Sequence, residues 1–242
     1  IKTPGRKDLV LIEVADNTCC AAVFTRNAFC AAPVTVAREN LRSCVHQPRY
    51  LLINTGNANA GTGLAGIAAA HSCVGAVALE AGVDVHSVLP FSTGVIGEPL
   101  PVERLERAIP AAFAALSADG WAAAAQGILT TDTRPKALSV CFSCDGHDYV
   151  VTGIAKGSGM IRPNMATMLA YIATDTAVEQ TLLQEMLAEL VDISFNRITV
   201  DGDTSTNDAC LLLATGKAGN VPVSDRTSPL YRALREAVEE VC

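Results

Sequence analysis

The sequence is short of charge, and it has no surplus of positive charge. Only 18% of its 242 residues are charged, and 18 Lys and Arg stand against 25 Asp and Glu, a net charge of −7. A chain of that balance offers no basic footprint to phosphate backbones or anionic lipid, which speaks against nucleic acid and membrane surfaces as partners. No apolar run is expected to approach the roughly 18 residues a membrane helix needs, because Gly, Pro, Thr or charge interrupts each candidate, so the chain reads as soluble. A disulfide framework is missing too. The nine cysteines are odd in number and scattered through Ala- and Val-rich segments, which suits a reducing, cytoplasmic compartment. The four histidines (46, 71, 86 and 147) belong to no nucleophile motif, and a His-based triad is unsupported.

What is present is apolar residue in quantity. Half of the chain is hydrophobic, which excludes disorder and coiled coil, and at roughly 150 residues per domain the length allows one to two domains. Short apolar or β-branched runs bounded by turn residues predict strands at 8–15, 20–25, 50–54 and 148–154. Helical periodicity runs through 66–81 and again from Val102 to Leu116, with Pro101 where a first turn tolerates it. A third helix is expected to open at Thr181, with Gln184 completing a capping box. A fourth opens at Ser228-Pro229 and runs to Cys242. With no initiator Met and no closing cap, the chain is expected to be a fragment lacking both ends.

Three motifs carry a bland reading better than a chemical one. Gly61, Gly63 and Gly66 have dinucleotide-fingerprint spacing, but Thr55 to Ala60 separate them from the preceding strand and no acidic residue follows at the right distance. Cys141, Cys144 and His147 lack a second ligand pair, and Asp145-Gly146 between them is a hairpin signal. The segment 201–208 starts like a calcium loop and fails at Thr206 and Leu212. No metal site is expected. In 153–175, Thr167 opens an apolar strand (167–173) after a Gly- and Pro-broken turn. Most threonines so placed are strand residues. The alternative is a nucleophile freed by cleavage of the Ala166-Thr167 bond, its own α-amine acting as general base.

KGSGMIRPNMATML (156–169), with NTGNANAGTG (54–63), FSTGVIGEPLP (91–101), TTDT (130–133) and SFNRITVDGDTSTND (194–208), closely resembles the ornithine acetyltransferase family, also called glutamate N-acetyltransferase, over nearly the whole chain. The resemblance implies an α/β fold, a layered α-β-β-α sandwich of the self-cleaving type. It implies autocleavage into an α chain (1–166) and a β chain from Thr167, of which 167–242 is the first part, assembled as two of each. It implies ping-pong acetyl transfer from N-acetylornithine to glutamate through acetyl-Thr167, without a cofactor, some members also accepting acetyl-CoA as acetyl donor. Thr93 and Gly94 would form the oxyanion hole. Thr130, Lys156 and Thr167 would bind substrate, with Thr131 or Thr133 as alternatives to Thr130. A self-cleaving aminopeptidase or amidase, in which water takes the acyl group, is the rival reading.

Overall fold

The computed structural model describes residues 7–44, 47–158, 168–201 and 203–242. In chain order the elements are β1 (Leu9–Glu13), β2 (Cys19–Phe24), α1 (Ala32–Ser43), β3 (Tyr50–Asn57), α2 (Gly63–Ala81), β4 (Val88–Val95), α3 (Val102–Ala114) and α4 (Trp121–Gly127). There follow β5 (Lys136–Cys144), β6 (His147–Lys156), β7 (Leu169–Thr174), α5 (Gln180–Ile193), β8 (Ala209–Ala214) and α6 (Pro229–Val241). They build a three-stranded sheet, order β1-β3-β4, and a five-stranded sheet, order β2-β8-β7-β6-β5. β3 and β4 are parallel, as are β7 and β8; the remaining neighbours are antiparallel.

Side-chain alternation decides the layering. In β8, Ala209, Leu211 and Leu213 join Leu169 and Tyr171 of β7 against Leu51, Ile53, Leu89 and Phe91 of the smaller sheet. Cys210, Leu212 and Ala214 point the other way, onto Leu183, Met186, Leu187 and Leu190 of α5 and Leu234 and Val238 of α6. Phe91 and Tyr171 meet edge-on between the sheets, ring centroids 5.3 Å apart and planes at 80°. On the smaller sheet's outer face, Tyr50, Leu52 and Val88 pack under Cys73, Val74 and Val77 of α2 and Leu105 and Ile109 of α3. Two sheets face to face, each with helices outside, give the α-β-β-α sandwich.

Each parallel pair is joined by a crossover helix, α2 and α5 respectively, as parallel pairing requires. α2 corrects the expectation about apolar runs. It is 19 residues long with a mean hydropathy of 1.5, long and apolar enough by length and composition to cross a membrane. Here one face lies on the smaller sheet, through Gly66, Ala70, Cys73, Val74, Val77 and Ala78.

The capping box at Thr181 is also corrected. α5 begins at Gln180 with Glu179 before it and no side-chain cap. Gln184 turns instead to the edge strand β2, accepting from Ala22 N at 3.0 Å and donating to Ala22 O at 3.1 Å. Gln180 donates to Cys20 O at 2.8 Å. The helix thus supplies the hydrogen bonds a further strand would make, which closes that edge. The cap at Ser228 is as predicted, its Oγ accepting from Tyr231 N at 3.2 Å. Asp145 and Gly146, at φ +51° and +77°, make the β5–β6 hairpin turn.

Candidate active site

The sandwich brings the C-terminal ends of β3 and β4 against the C-terminal end of β6 and the N-terminal ends of β7 and β8. The 54–63 motif builds the rim, and its polar groups are spent on one another. Asn54, buried, accepts from Ser92 Oγ at 2.5 Å and donates to Asn57 O at 2.8 Å. Asn57 accepts from Asn59 N at 2.7 Å and donates to the carbonyls of Glu98 and Pro99. Asn59, fully buried, holds Gly66 O and accepts from Thr62 Oγ1. A Cβ on Gly66 would lie 1.9 Å from Thr62 Oγ1. Gly66 therefore serves the packing of the loop against α2, while Gly61 and Gly63 take left-handed backbone at φ +71° and +58°. Gly94 makes the tightest approach to backbone: at φ +138°, its Cβ would stand 2.3 Å from Gly56 C and 2.5 Å from Asn57 N. Only glycine lets β4 approach the irregular end of β3 so closely.

Thr93, one residue earlier and buried, faces across to the larger sheet. Lys156, the last residue of β6 and 3% exposed, donates from Nζ to Thr93 Oγ1 at 3.2 Å. Having accepted that bond, the Thr93 hydroxyl keeps its own proton to donate. Burial pulls the Lys156 ammonium below its usual range, and Asp132 and Asp208 oppose that fall.

Those two carboxyls were not singled out in the sequence. Asp132, its side chain fully covered, accepts from Gly157 N at 2.8 Å and from Lys136 Nζ at 2.5 Å. Burial alone would raise it; the Lys136 ammonium, the Gly157 N–H and Lys156 hold it below the ordinary value. Asp208, 1% exposed, accepts from Met168 N at 2.7 Å. Burial outweighs its hydrogen bonds and Lys156, and its carboxyl is pushed up to about 8. Both lie inside motifs quoted for other reasons, the TTDT run and the failed calcium loop. Their signal was an acid among small polar residues next to a strand. Among the described residues no three His, Cys, Asp or Glu side chains gather as a metal set.

Of the predicted site residues, Thr93 and Lys156 are brought into contact and Gly94 adjoins them. Thr130 is half-buried on the segment that Asp132 and Thr131 tie to β6; Thr131 Oγ1 lies 2.6 Å from Ser158 Oγ, while Thr133 is exposed. Ala166 and Thr167 lie outside the described residues. Asn207, also unforeseen, pins the sheets together at this end. Its Nδ2 donates to Ala58 O at 2.7 Å and to Ser92 O at 2.9 Å.

Known proteins resemble this chain. The chain is 56% identical over 242 residues to the arginine biosynthesis bifunctional protein ArgJ of Pseudomonas syringae pv. tomato, all of this chain matching 59% of that protein. It thus spans about three-fifths of the curated relative it matches. The solved ArgJ of Bacillus halodurans is similar at a TM-score of 0.58 and 34% identity, over 68% of this chain and 85% of that one. The ornithine acetyltransferase of Mycobacterium tuberculosis, solved with ornithine, is similar at 0.51 and 30%, over 65% and 83%. The ArgJ family model matches residues 1–242 without a break, and the chain belongs to that family.

Proposed function

We propose that the full-length protein transfers an acetyl group from N-acetylornithine to L-glutamate in arginine biosynthesis, with Thr167 as nucleophile. The observation that carries this reading is the Lys156–Thr93 contact at the joint ends of the two sheets, beside the strand that Thr167 precedes. The arginine-biosynthesis relatives and the ornithine-bound neighbour support the same assignment.

Cleavage comes first. The Thr167 hydroxyl attacks the Ala166 carbonyl, the acyl group passes from nitrogen to oxygen, and water hydrolyses the ester. This leaves a carboxylate on Ala166 and a free α-amine on Thr167, separating an α segment (1–166) from a β segment.

In turnover, the α-amine takes the hydroxyl proton as Oγ attacks the acetyl carbonyl. The Thr93 hydroxyl and the Gly94 N–H donate to the oxyanion, and a neighbouring ammonium, Lys156, steadies the charge. The tetrahedral species collapses, the proton goes to the departing amine of ornithine, and acetyl-Thr167 remains. The glutamate amine attacks this ester and the steps reverse. Thr130 and Lys156 bind substrate, Lys156 as the cation for an amino-acid carboxylate. The reading includes acetyl-CoA as a second acetyl donor, no cofactor, a cytoplasmic location and an assembly of two α and two β segments.

Intact mass of the full-length gene product, before and after N-acetylornithine, tests it. Two species divided between Ala166 and Thr167, the later one gaining one acetyl group, are expected. A folded protein with a single uncut and unmodified mass would overturn the mechanism. Ornithine release that glutamate does not accelerate would favour the amidase, with water as acceptor.

A further inference from the structure

Asp208 reaches the strand of the nucleophile directly. It is the residue before β8 and is 1% exposed. One carboxyl oxygen accepts from Met168 N at 2.7 Å; the other is buried with no hydrogen-bond partner among the described residues. The Met168 nitrogen is the amide nitrogen of the bond to Thr167, three covalent bonds from the Thr167 α-nitrogen, a reach of under about 4 Å.

β7 begins its pairing only at Leu169, and β8 enters the ladder by Ala209 N donating to Met168 O at 3.0 Å. Met168 thus precedes the first paired residue among those described, and a cut before Thr167 would leave it next to a chain terminus. Termini fray unless tied down. The Asp208 carboxyl ties Met168, and Asp208 is itself held on its other side, its carbonyl accepting from Thr25 N at 2.9 Å.

We infer that Asp208 is a positioning residue for the nucleophile: by holding the peptide nitrogen after Thr167, it sets where the α-amine and hydroxyl lie once cleavage frees them. The inference rests on Thr167 being the nucleophile. A carboxyl suits the task because it keeps an acceptor toward Met168 in either protonation state. Burial pushes its carboxyl up to about 8, so holding the ionised form there costs the fold stability.

The test uses the full-length protein with Asp208→Ala and Asp208→Asn. Asparagine keeps an acceptor for Met168 N and discards the buried charge. Asp208→Ala is expected to lower kcat about 100-fold with KM for N-acetylornithine within about threefold, the scale of a misplaced reacting group. Asp208→Asn is expected to lose only about tenfold in kcat and to melt higher than wild type at pH 8, so that stability and activity move in opposite directions. A purely structural residue would lower both together, and that outcome overturns the inference. So does an Asp208→Ala protein within about threefold of wild-type kcat. If Asp208→Ala does not fold, Asp208→Leu, close in volume and without an acceptor for Met168 N, replaces it, and a kcat within about threefold of wild type in that variant is fatal to the inference. Wild type that is neither cut nor acetylated overturns the Thr167 reading and this inference with it, whereas a working wild type confines any failure to Asp208.

Discussion

The ammonium of Lys156 and the hydroxyl of Thr93 meet at 3.2 Å from opposite sheets, β6 contributing one and β4 the other. Because the lysine spends a proton on the threonine oxygen, the threonine's own hydrogen is directed elsewhere. Two residues that are remote in sequence are therefore joined by one hydrogen bond between the sheets.

That pairing predicts non-additive damage. On the proposed mechanism, Thr93→Val in the full-length protein should lower kcat by about 10²- to 10³-fold, the usual loss for one oxyanion donor. Lys156→Met should cost at least as much. The double variant should be little worse than the more damaged single one, because each removes the same unit. Steady-state kinetics on the four proteins measures this, and fully multiplicative losses would mean that the two side chains act separately.

Gly94 should tolerate no side chain. Alanine there places its Cβ within 2.3 Å of Gly56 C, against backbone that cannot step aside. The expected loss of unfolding free energy is about 3 kcal/mol or more. Urea denaturation of Gly94→Ala reads it, while Gly63→Ala, with nothing within 4 Å of its Cβ, pays only for its left-handed backbone.

Asn207 offers a test of the seam between sheets. Asn207→Ala leaves the Ala58 and Ser92 carbonyls without their shared donor, at about 1–3 kcal/mol for each buried group. Asn207→Asp should be worse at neutral pH, because a carboxylate would then face two carbonyl oxygens. Equal stabilities for the two variants would show that the bonds matter less than the packing.

The two buried acids predict opposite pH behaviour. The Asp208 carboxyl, raised from 3.8 to about 8, binds more protons folded than unfolded across that window, so its contribution to stability falls as pH rises through it. Asp132 stands below its ordinary value; its contribution is present above the unfolded value and is lost as pH falls through the lowered one. Asp208→Asn should flatten the decline in melting temperature between pH 5 and 8. Asp132→Asn should lower that temperature at neutral pH and narrow the gap to wild type in acid.

Local chemistry was the part of the fold that the sequence disclosed. Ser228-Pro229 is a cap because its hydroxyl and ring act on the first turn, and Asp145-Gly146 is a hairpin because its backbone is left-handed. Gln184 was misread because a capping glutamine and a glutamine reaching a distant strand look alike until Ala22 is seen beside it. β8, buried on both faces, shows no alternation to find. At the site, the threonines and Lys156 came from motif resemblance. Asp132 and Asp208 acquire meaning only when folding brings them within reach of Gly157, Lys136 and Met168.

The strand order β2-β8-β7-β6-β5 interleaves the two sides of the expected cut, since β2, β6 and β5 precede Thr167 while β7 and β8 follow it. Breaking one peptide bond would leave the sheet whole, with the later pair clasped between earlier strands, so the pieces could part only by unfolding. The return journey would differ. An uncut chain refolds at a rate independent of its concentration, whereas two severed pieces must first find each other, and their renaturation would slow on dilution. Scission would thus convert a reversible folding problem into an assembly problem, leaving the working protein dependent on the history of its single chain.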